Sequence, residues 1–273
     1  MIQILENLKV VKDIDVYKSF DLDSSFCPLD GKLCSDERAE GIILDTREID
    51  LDEYKNLRVI SRVGVGLDNI DLEECKKRGI KVYNTPCDEL TNSVAEFTVM
   101  QILNFLRNKR ETIYGKTVGI IGYGRIGTSV EFIFNNGFEL DTYWHDKFQK
   151  EIGENYHYHL EEVLDCDIIC IHISGSKEVI GEKEISRMKQ KPIIVNMARS
   201  GCVNLKFIYK GLKEEKLSGF ISDVDEDIRN IWTFSNSINN KILITPHVAS
   251  DTIQARTAIE NFALQNLIKG LKG

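Results

Sequence analysis

The sequence predicts a layered α/β protein built on parallel sheets, and three observations carry that expectation. Short β-rich runs alternate with stretches of helical periodicity, the pattern of strand–helix–strand units. The chain has 273 residues, which at about 150 residues per domain points to two domains. A glycine-rich turn, Gly122 to Gly127, falls between a buried-strand pattern and a helix.

In the first part the predicted strands are Ile2–Leu5, Gly41–Leu44, Arg58–Ser61 and Lys81–Tyr83. Asp71–Arg78 reads as a helix, with Gly79 as its left-handed stop. The charged or polar stretch Asp21–Glu40 gives no readable element, and Asn84-Thr85-Pro86 breaks the chain. From Ser93 to Arg107, Val94, Phe97, Val99, Ile102, Leu103 and Leu106 follow helical spacing. Gly115 opens a second series with strands at Thr117–Ile121, Leu140–His145, Ile168–Ile173, Pro192–Asn196, Phe220–Asp223 and Ile242–Thr245. Pro246 ends the last strand, and Asp251–Lys269 reads as a terminal helix capped by Ser250 or Asp251. There is no internal repeat and no low-complexity tract.

Composition narrows the function. Hydrophobic residues make up 42% and charged residues 29%, an ordinary globular balance. A net charge of -8 repels phosphate backbones and anionic lipids, so no nucleic-acid or membrane partner is expected. The N-terminus has no basic stretch followed by an apolar one, and no segment is apolar enough to span a bilayer; the cytoplasm is the expected compartment. The seven cysteines form no C-x-x-C pair, and Cys166 and Cys170, in or beside an apolar run, are expected to be reduced core thiols.

Gly122, Gly124 and Gly127 form G-x-G-x-x-G after a strand and before a helix. The first permits the tight turn, the second lets a pyrophosphate approach the backbone, and the third lets helix and strand pack closely. The helix N-terminus offers N–H groups and partial positive charge to phosphates. Asp146 falls 19 residues after Gly127, where an acid accepts hydrogen bonds from the adenosine ribose and repels a 2′-phosphate. This favours NAD as the cofactor, although Lys147 and Lys150 lie nearby and the register of Asp146 is open by a residue or two.

Four further segments, in order, resemble the D-isomer-specific 2-hydroxyacid dehydrogenase family, which includes phosphoglycerate dehydrogenase. Ser61 to Asp71, reading SRVGVGLDNID, is similar to its substrate-side loop. Asn84-Thr85-Pro86 with Ser93-Val94-Ala95-Glu96 resembles its crossing into the cofactor domain. Asn196 to Gly201 resembles its arginine motif, and Thr245-Pro246-His247 its histidine motif. The resemblance implies a Rossmann-type doubly wound NAD-binding domain plus a smaller flavodoxin-like α/β substrate domain. It implies phosphate contacts at Arg125 and Ile126, a cofactor contact at Ile173, a nicotinamide flank at Met197 and Ala198, and a carboxamide contact at Asp223.

The residue chemistry suits hydride transfer to a small 2-hydroxy or 2-oxo acid. His247 suits an acid–base role, since histidine as a residue type can both donate and accept a proton near neutral pH. Arg199, past a strand end, can grip a carboxylate through a planar fork and polarise a carbonyl. Gly64 and Gly66 would let the Val63, Gly64, Val65 and Gly66 amides reach the same carboxylate. Arg47 adds either a second substrate cation or an ordinary surface residue. His145 and His172 read as structural, and no metal site is expected at His157-Tyr158-His159.

Two departures from the family pattern stand out. The position of its third catalytic residue, a glutamate, is Ile228, so a carboxylate for His247 comes from Glu226, from Asp227, or not at all; Glu226 is preferred. Only 18 residues separate Glu96 from Gly115, where the family carries a longer segment that contributes to its dimer interface, so a homodimer remains an open expectation. The expected organisation is a substrate domain of residues 1–92 completed by 250–273, a dinucleotide-binding domain of 93–249, and an active cleft between them. The alternative is an NAD(H)-sensing binding module or corepressor-like protein with little turnover, suggested by the missing glutamate.

Overall fold

The computed structural model describes residues 2–5, 24–27, 38–148, 151–152, 155–156, 159–224 and 240–272. The chain divides into two units, Met1–Leu90 with Asp251–Gly273, and Thr91–Ser250.

The first unit holds a five-stranded parallel sheet of β1 (Ile2–Leu5), β2 (Ser24–Cys27), β3 (Gly41–Leu44), β4 (Val59–Arg62) and β5 (Lys81–Tyr83). Its order, β2-β1-β3-β4-β5, is the flavodoxin-like one. β2 lies in the stretch that gave no readable element, and it forms the sheet edge against β1. Helix α1 (Leu72–Lys77) starts where the Asp71 carboxylate accepts the Glu74 N–H at 2.9 Å. One face of the sheet closes over Ile42, Leu44, Ile60, Leu57, Ile70 and Ile80. The C-terminal helix Ile253–Lys272 packs on β3, β4 and β5, so closely that a Cβ on Gly270 would lie 2.8 Å from a Val59 methyl. Thr252 caps that helix, its hydroxyl accepting the Ala255 N–H at 3.2 Å, rather than Ser250 or Asp251.

The second unit begins within helix α2 (Asp88–Asn108), which starts five residues before the expected Ser93. Its sheet comprises β6 (Val118–Ile121), β7 (Thr142–His145), β10 (Ile168–Ile171), β11 (Ile193–Asn196), β12 (Gly219–Ser222) and β13 (Ile242–Ile244). All six are parallel, in the order β13-β12-β11-β10-β6-β7, while β8 (Glu151–Ile152) and β9 (Asn155–Tyr156) form a separate antiparallel pair. Strand side chains alternate between two cores. Ile120, Cys170, Val195 and Ile221 face α2 and α3 (Arg125–Phe138). Ile121, Ile169, Ile171, Ile194 and Phe220 face α4 (Leu160–Leu164), α5 (Glu182–Arg187) and α6 (Leu205–Lys213). Helices on both faces make this a doubly wound, Rossmann-type unit. Cys166 and Cys170 are buried and free, their thiols pushed up in pKa by burial. No helix among the described residues is long and apolar enough to cross a membrane.

Candidate active site

In open α/β sheets ligands bind beyond the carboxyl ends of the strands, at the point where strand order reverses. Here that point lies between β6 and β10. The strand register aligns His145, Ile121, Ile171, Asn196, Ser222 and Ile244 across the sheet. The residues one step beyond are therefore Asp146, Gly122, His172, Met197, Asp223 and Thr245. Backbone bonds carry the ladder one rung further, from Gly122 N–H to the His145 carbonyl at 2.8 Å through Thr245 N–H to the Ser222 carbonyl at 2.9 Å.

The glycine turn fits a dinucleotide on its own geometry. Gly122 has φ 96°, and a Cβ there would lie 2.7 Å from the His172 backbone. A Cβ on Gly127 would collide with the Gly122 carbonyl oxygen. A Cβ on Gly124 would meet nothing within 4 Å, so that position faces open space. Gly124 is also the N-cap of α3 with no side-chain cap, and a helix leaves its first N–H groups without intrahelical partners. The Arg125 Nε donates to the Thr91 hydroxyl at 3.2 Å. Asp146 ties the turn in place, accepting the Tyr123 N–H at 2.8 Å and the Phe148 N–H at 2.7 Å.

The family model for the D-isomer specific 2-hydroxyacid dehydrogenase NAD binding domain matches residues 94–249. The chain belongs to this family. A glyoxylate reductase from Pyrococcus furiosus is 34% identical over 265 residues, covering 84% of this chain and 78% of the relative. A D-3-phosphoglycerate dehydrogenase from Methanocaldococcus jannaschii is 32% identical over 84% of this chain; there the chain spans 48% of the relative's length. The crystal structure of cofactor(NAD+) bound 3-phosphoglycerate dehydrogenase from Entamoeba histolytica shares the fold, with a TM-score of 0.85 and 23% identity over 100% of this chain and 96% of that one.

In this family member Arg199 is half-buried and precedes a short 3₁₀ turn, Ser200–Cys202. The Asn196 side chain orders the motif: its Oδ1 accepts the Ala198 N–H at 3.1 Å and its amide donates to the Arg199 carbonyl at 2.9 Å. The Arg199 guanidinium donates to the Ala198 carbonyl at 2.7 Å. Met197 is half-buried, Ala198 is buried, and Ile173 is half-buried beside the Gly122 turn. His247 is exposed, with φ 55°, and its N–H donates to the Thr245 carbonyl at 3.0 Å.

Asp223, the expected carboxamide contact, stands just past the end of β12. It is 2% exposed, and both of its oxygens accept hydrogen bonds from the histidine turn. Glu226, Asp227 and Ile228 lie outside the described residues. His172 has both ring nitrogens sealed from solvent and without a hydrogen-bond partner, and that desolvation lowers its pKa to about 4. It is a neutral, structural ring at neutral pH.

The Val63–Gly66 loop belongs to the first unit, and the expectation for it narrows. The Val63 N–H bonds the Leu44 carbonyl at 2.8 Å and the Gly64 N–H bonds the buried Thr85 hydroxyl at 2.7 Å, so neither is available to a carboxylate. Exposed Val65 and half-buried Gly66 form its open end. Arg47 pairs with Asp45, its Nε 3.1 and 3.0 Å from the two carboxylate oxygens, while its buried Nη2 has no hydrogen-bond partner. Sequence reasoning missed Thr85 and Asn84 as braces of this loop, Arg62 packed beneath Gly64, and Ser93, whose hydroxyl reaches the Ala249 carbonyl at 2.7 Å. A buried hydroxyl or guanidinium beside a motif was the available signal, but burial is invisible in one sequence.

Proposed function

We propose that this family member is an NAD-dependent oxidoreductase that moves a hydride between the nicotinamide and a small D-2-hydroxy or 2-oxo acid. The observation that carries the reading is the shared edge: the glycine cradle, the arginine motif and the histidine turn all leave the carboxyl ends of one parallel sheet. When bound, the nicotinamide supplies or accepts the hydride. Gly122, Gly124, Gly127 and the Arg125 and Ile126 amides hold the phosphates, and Asp146 accepts the ribose hydroxyls. Ile173, Met197 and Ala198 line the cofactor. Arg199 binds the substrate carboxylate and draws charge onto the carbonyl oxygen; His247 then gives that oxygen a proton during reduction and removes it during oxidation. The amides of Val65 and Gly66 are the loop's remaining carboxylate donors, and Glu226 is the proposed carboxylate partner of His247.

The first unit is proposed as the substrate domain, residues 1–92 with 250–273, and 93–249 as the cofactor domain. Relatives named glyoxylate reductase make short 2-oxo acids the first substrates to try. A cytoplasmic setting and a homodimer complete the proposal; exposed Tyr114, beside Leu103 and Phe138, offers apolar surface for self-association, and light scattering would measure it.

The test is NADH oxidation, followed by absorbance, with glyoxylate, hydroxypyruvate, pyruvate and phosphohydroxypyruvate, alongside NADPH. One or more acids should turn over, and His247→Ala should cost about 10²–10⁴ in kcat. An unchanged kcat in that variant removes the role of His247. Tight NADH binding with no turnover on the panel favours the sensor.

A further inference from the structure

We infer that Asn84 is a positioning residue for the substrate: its side-chain amide sets the peptide plane from which the Gly66 N–H meets the substrate carboxylate. The inference rests on the hydride-transfer reading, in which the Val65 and Gly66 amides bind that carboxylate. The Asn84 Nδ2 donates to the Val65 carbonyl at 2.9 Å. Beside it, the Thr85 N–H donates to the Gly64 carbonyl at 3.0 Å. The loop's peptide bonds are trans, so the C=O and N–H of each planar unit point in opposite directions. Holding the Val65 carbonyl therefore turns the Gly66 N–H away from Asn84. Holding the Gly64 carbonyl likewise turns the Val65 N–H away from Thr85. Among the described residues neither N–H meets an acceptor.

That plane needs holding. The Val63 N–H is fixed on Leu44, and Gly64 is fixed on Thr85 at both its N–H and its carbonyl. The Val65–Gly66 unit has Asn84. Rotating a peptide plane changes ψ of the first residue and φ of the second together, and glycine accepts either sign of φ. Val65 is 43% exposed, so its side chain does little to stop that rotation. Without the Asn84 amide the Gly66 N–H would lose its aim. Asn84 is itself anchored, since its backbone carbonyl accepts the Asn266 side-chain amide of the C-terminal helix at 3.0 Å. That helix is tied again where the Lys81 Nζ donates to the Gly270 carbonyl at 3.2 Å. One line of contacts thus runs within the first unit from Asn266 through Asn84 to the substrate loop. A neutral amide suits the task, because it donates an N–H without setting a negative charge beside an anion site, as an aspartate would.

The test compares Asn84→Ala, Asn84→Asp and Asn266→Ala in the full chain, using whichever acid of the panel turns over. KM for that acid should rise about tenfold in Asn84→Ala, with kcat and the NADH Kd by fluorescence unchanged within about twofold, the signature of lost uniform binding. The isosteric Asn84→Asp loses the donor and repels the carboxylate, so its KM should rise further. Asn266→Ala acts at one remove and should raise KM about threefold. By NMR, the order parameter of the Gly66 N–H should fall from about 0.85 in the parent to below about 0.6 in Asn84→Ala. Parent-like KM in both Asn84→Ala and Asn84→Asp overturns the inference, as does a loss confined to kcat or to NADH binding. If the parent protein turns over no 2-oxo acid, the hydride-transfer reading fails by itself. The order parameter then judges the brace alone, and an unchanged value in Asn84→Ala overturns it. Should Asn84→Ala not fold, Asn84→Asp and Asn266→Ala carry the test through KM, kcat, Kd and the order parameter.

Discussion

Two glycine loops, each following a buried parallel strand, use the same residue type for opposite ends. In the Gly122–Gly127 turn the outer two glycines satisfy the protein's own packing, while Gly124 keeps a surface clear. In the Val63–Gly66 loop, Gly64 has φ 133°, its N–H and carbonyl are both paired with Thr85, and Arg62 lies directly beneath. The first loop is shaped for something outside the chain; the second is tied down, with only Val65 and Gly66 at its open end. Glycine spacing alone does not distinguish the two duties, whereas the space around each absent Cβ does.

The comparison can be broken at its strongest point by Gly127→Ala. The new methyl meets a backbone carbonyl that cannot turn aside, and urea unfolding should register a loss of about 3 kcal/mol. Stability matching the parent would mean that helix and strand do not approach as described. Acid should act next, through His172 beneath the Gly122 turn. Its folded pKa of about 4 lies below the ordinary 6.5, so between those values the unfolded chain binds more protons. Its stabilising contribution is complete above pH 6.5 and is lost as pH falls toward 4, by about 2 kcal/mol between pH 7 and 5. His172→Gln should remove that part of the pH slope, and an unchanged slope would show that the ring is not sealed.

Gly124→Ala sharpens the contrast, since it should leave the urea midpoint alone and weaken NADH binding about tenfold, or about 1.4 kcal/mol. Lost stability with intact NADH affinity would assign Gly124 to packing. The smallest effect belongs to the tied loop. Thr85→Val leaves the buried Gly64 N–H without its acceptor and should cost about 1 kcal/mol in stability, with NADH affinity unaltered.

Much of the sheet architecture was legible because buried parallel strands carry apolar runs between breakers. Gly41–Leu44 and Lys81–Tyr83 appear at the expected residues, and Arg58–Ser61 appears one residue later as Val59–Arg62. Ser24–Cys27 was not legible: a short edge strand in a polar stretch has too little pattern, and its pairing with β1 comes from elsewhere in the chain. The start of α2 at Asp88 was missed because Asp88 and Glu89 lack apolar periodicity, although acids in a first turn suit the helix dipole. In the candidate site, the motif residues could be named from spacing, but their partners could not. Asp45 pairs with the Arg47 Nε, Thr85 takes an amide expected to face substrate, and Asp223 accepts hydrogen bonds from the histidine segment.

By itself the sequence determined the alternation of strands and helices, the glycine cradle, and the family, because these are local patterns of polarity, backbone freedom and motif order. Tertiary structure alone decided which donors and acceptors were already spent. Hydrogen bonds between residues 21 to 26 positions apart, such as Gly64 to Thr85 and Ala249 to Asp223, form only when parallel strands bring their ends together. A buried polar group accepts whichever partner the fold delivers, and no short stretch of sequence records that delivery.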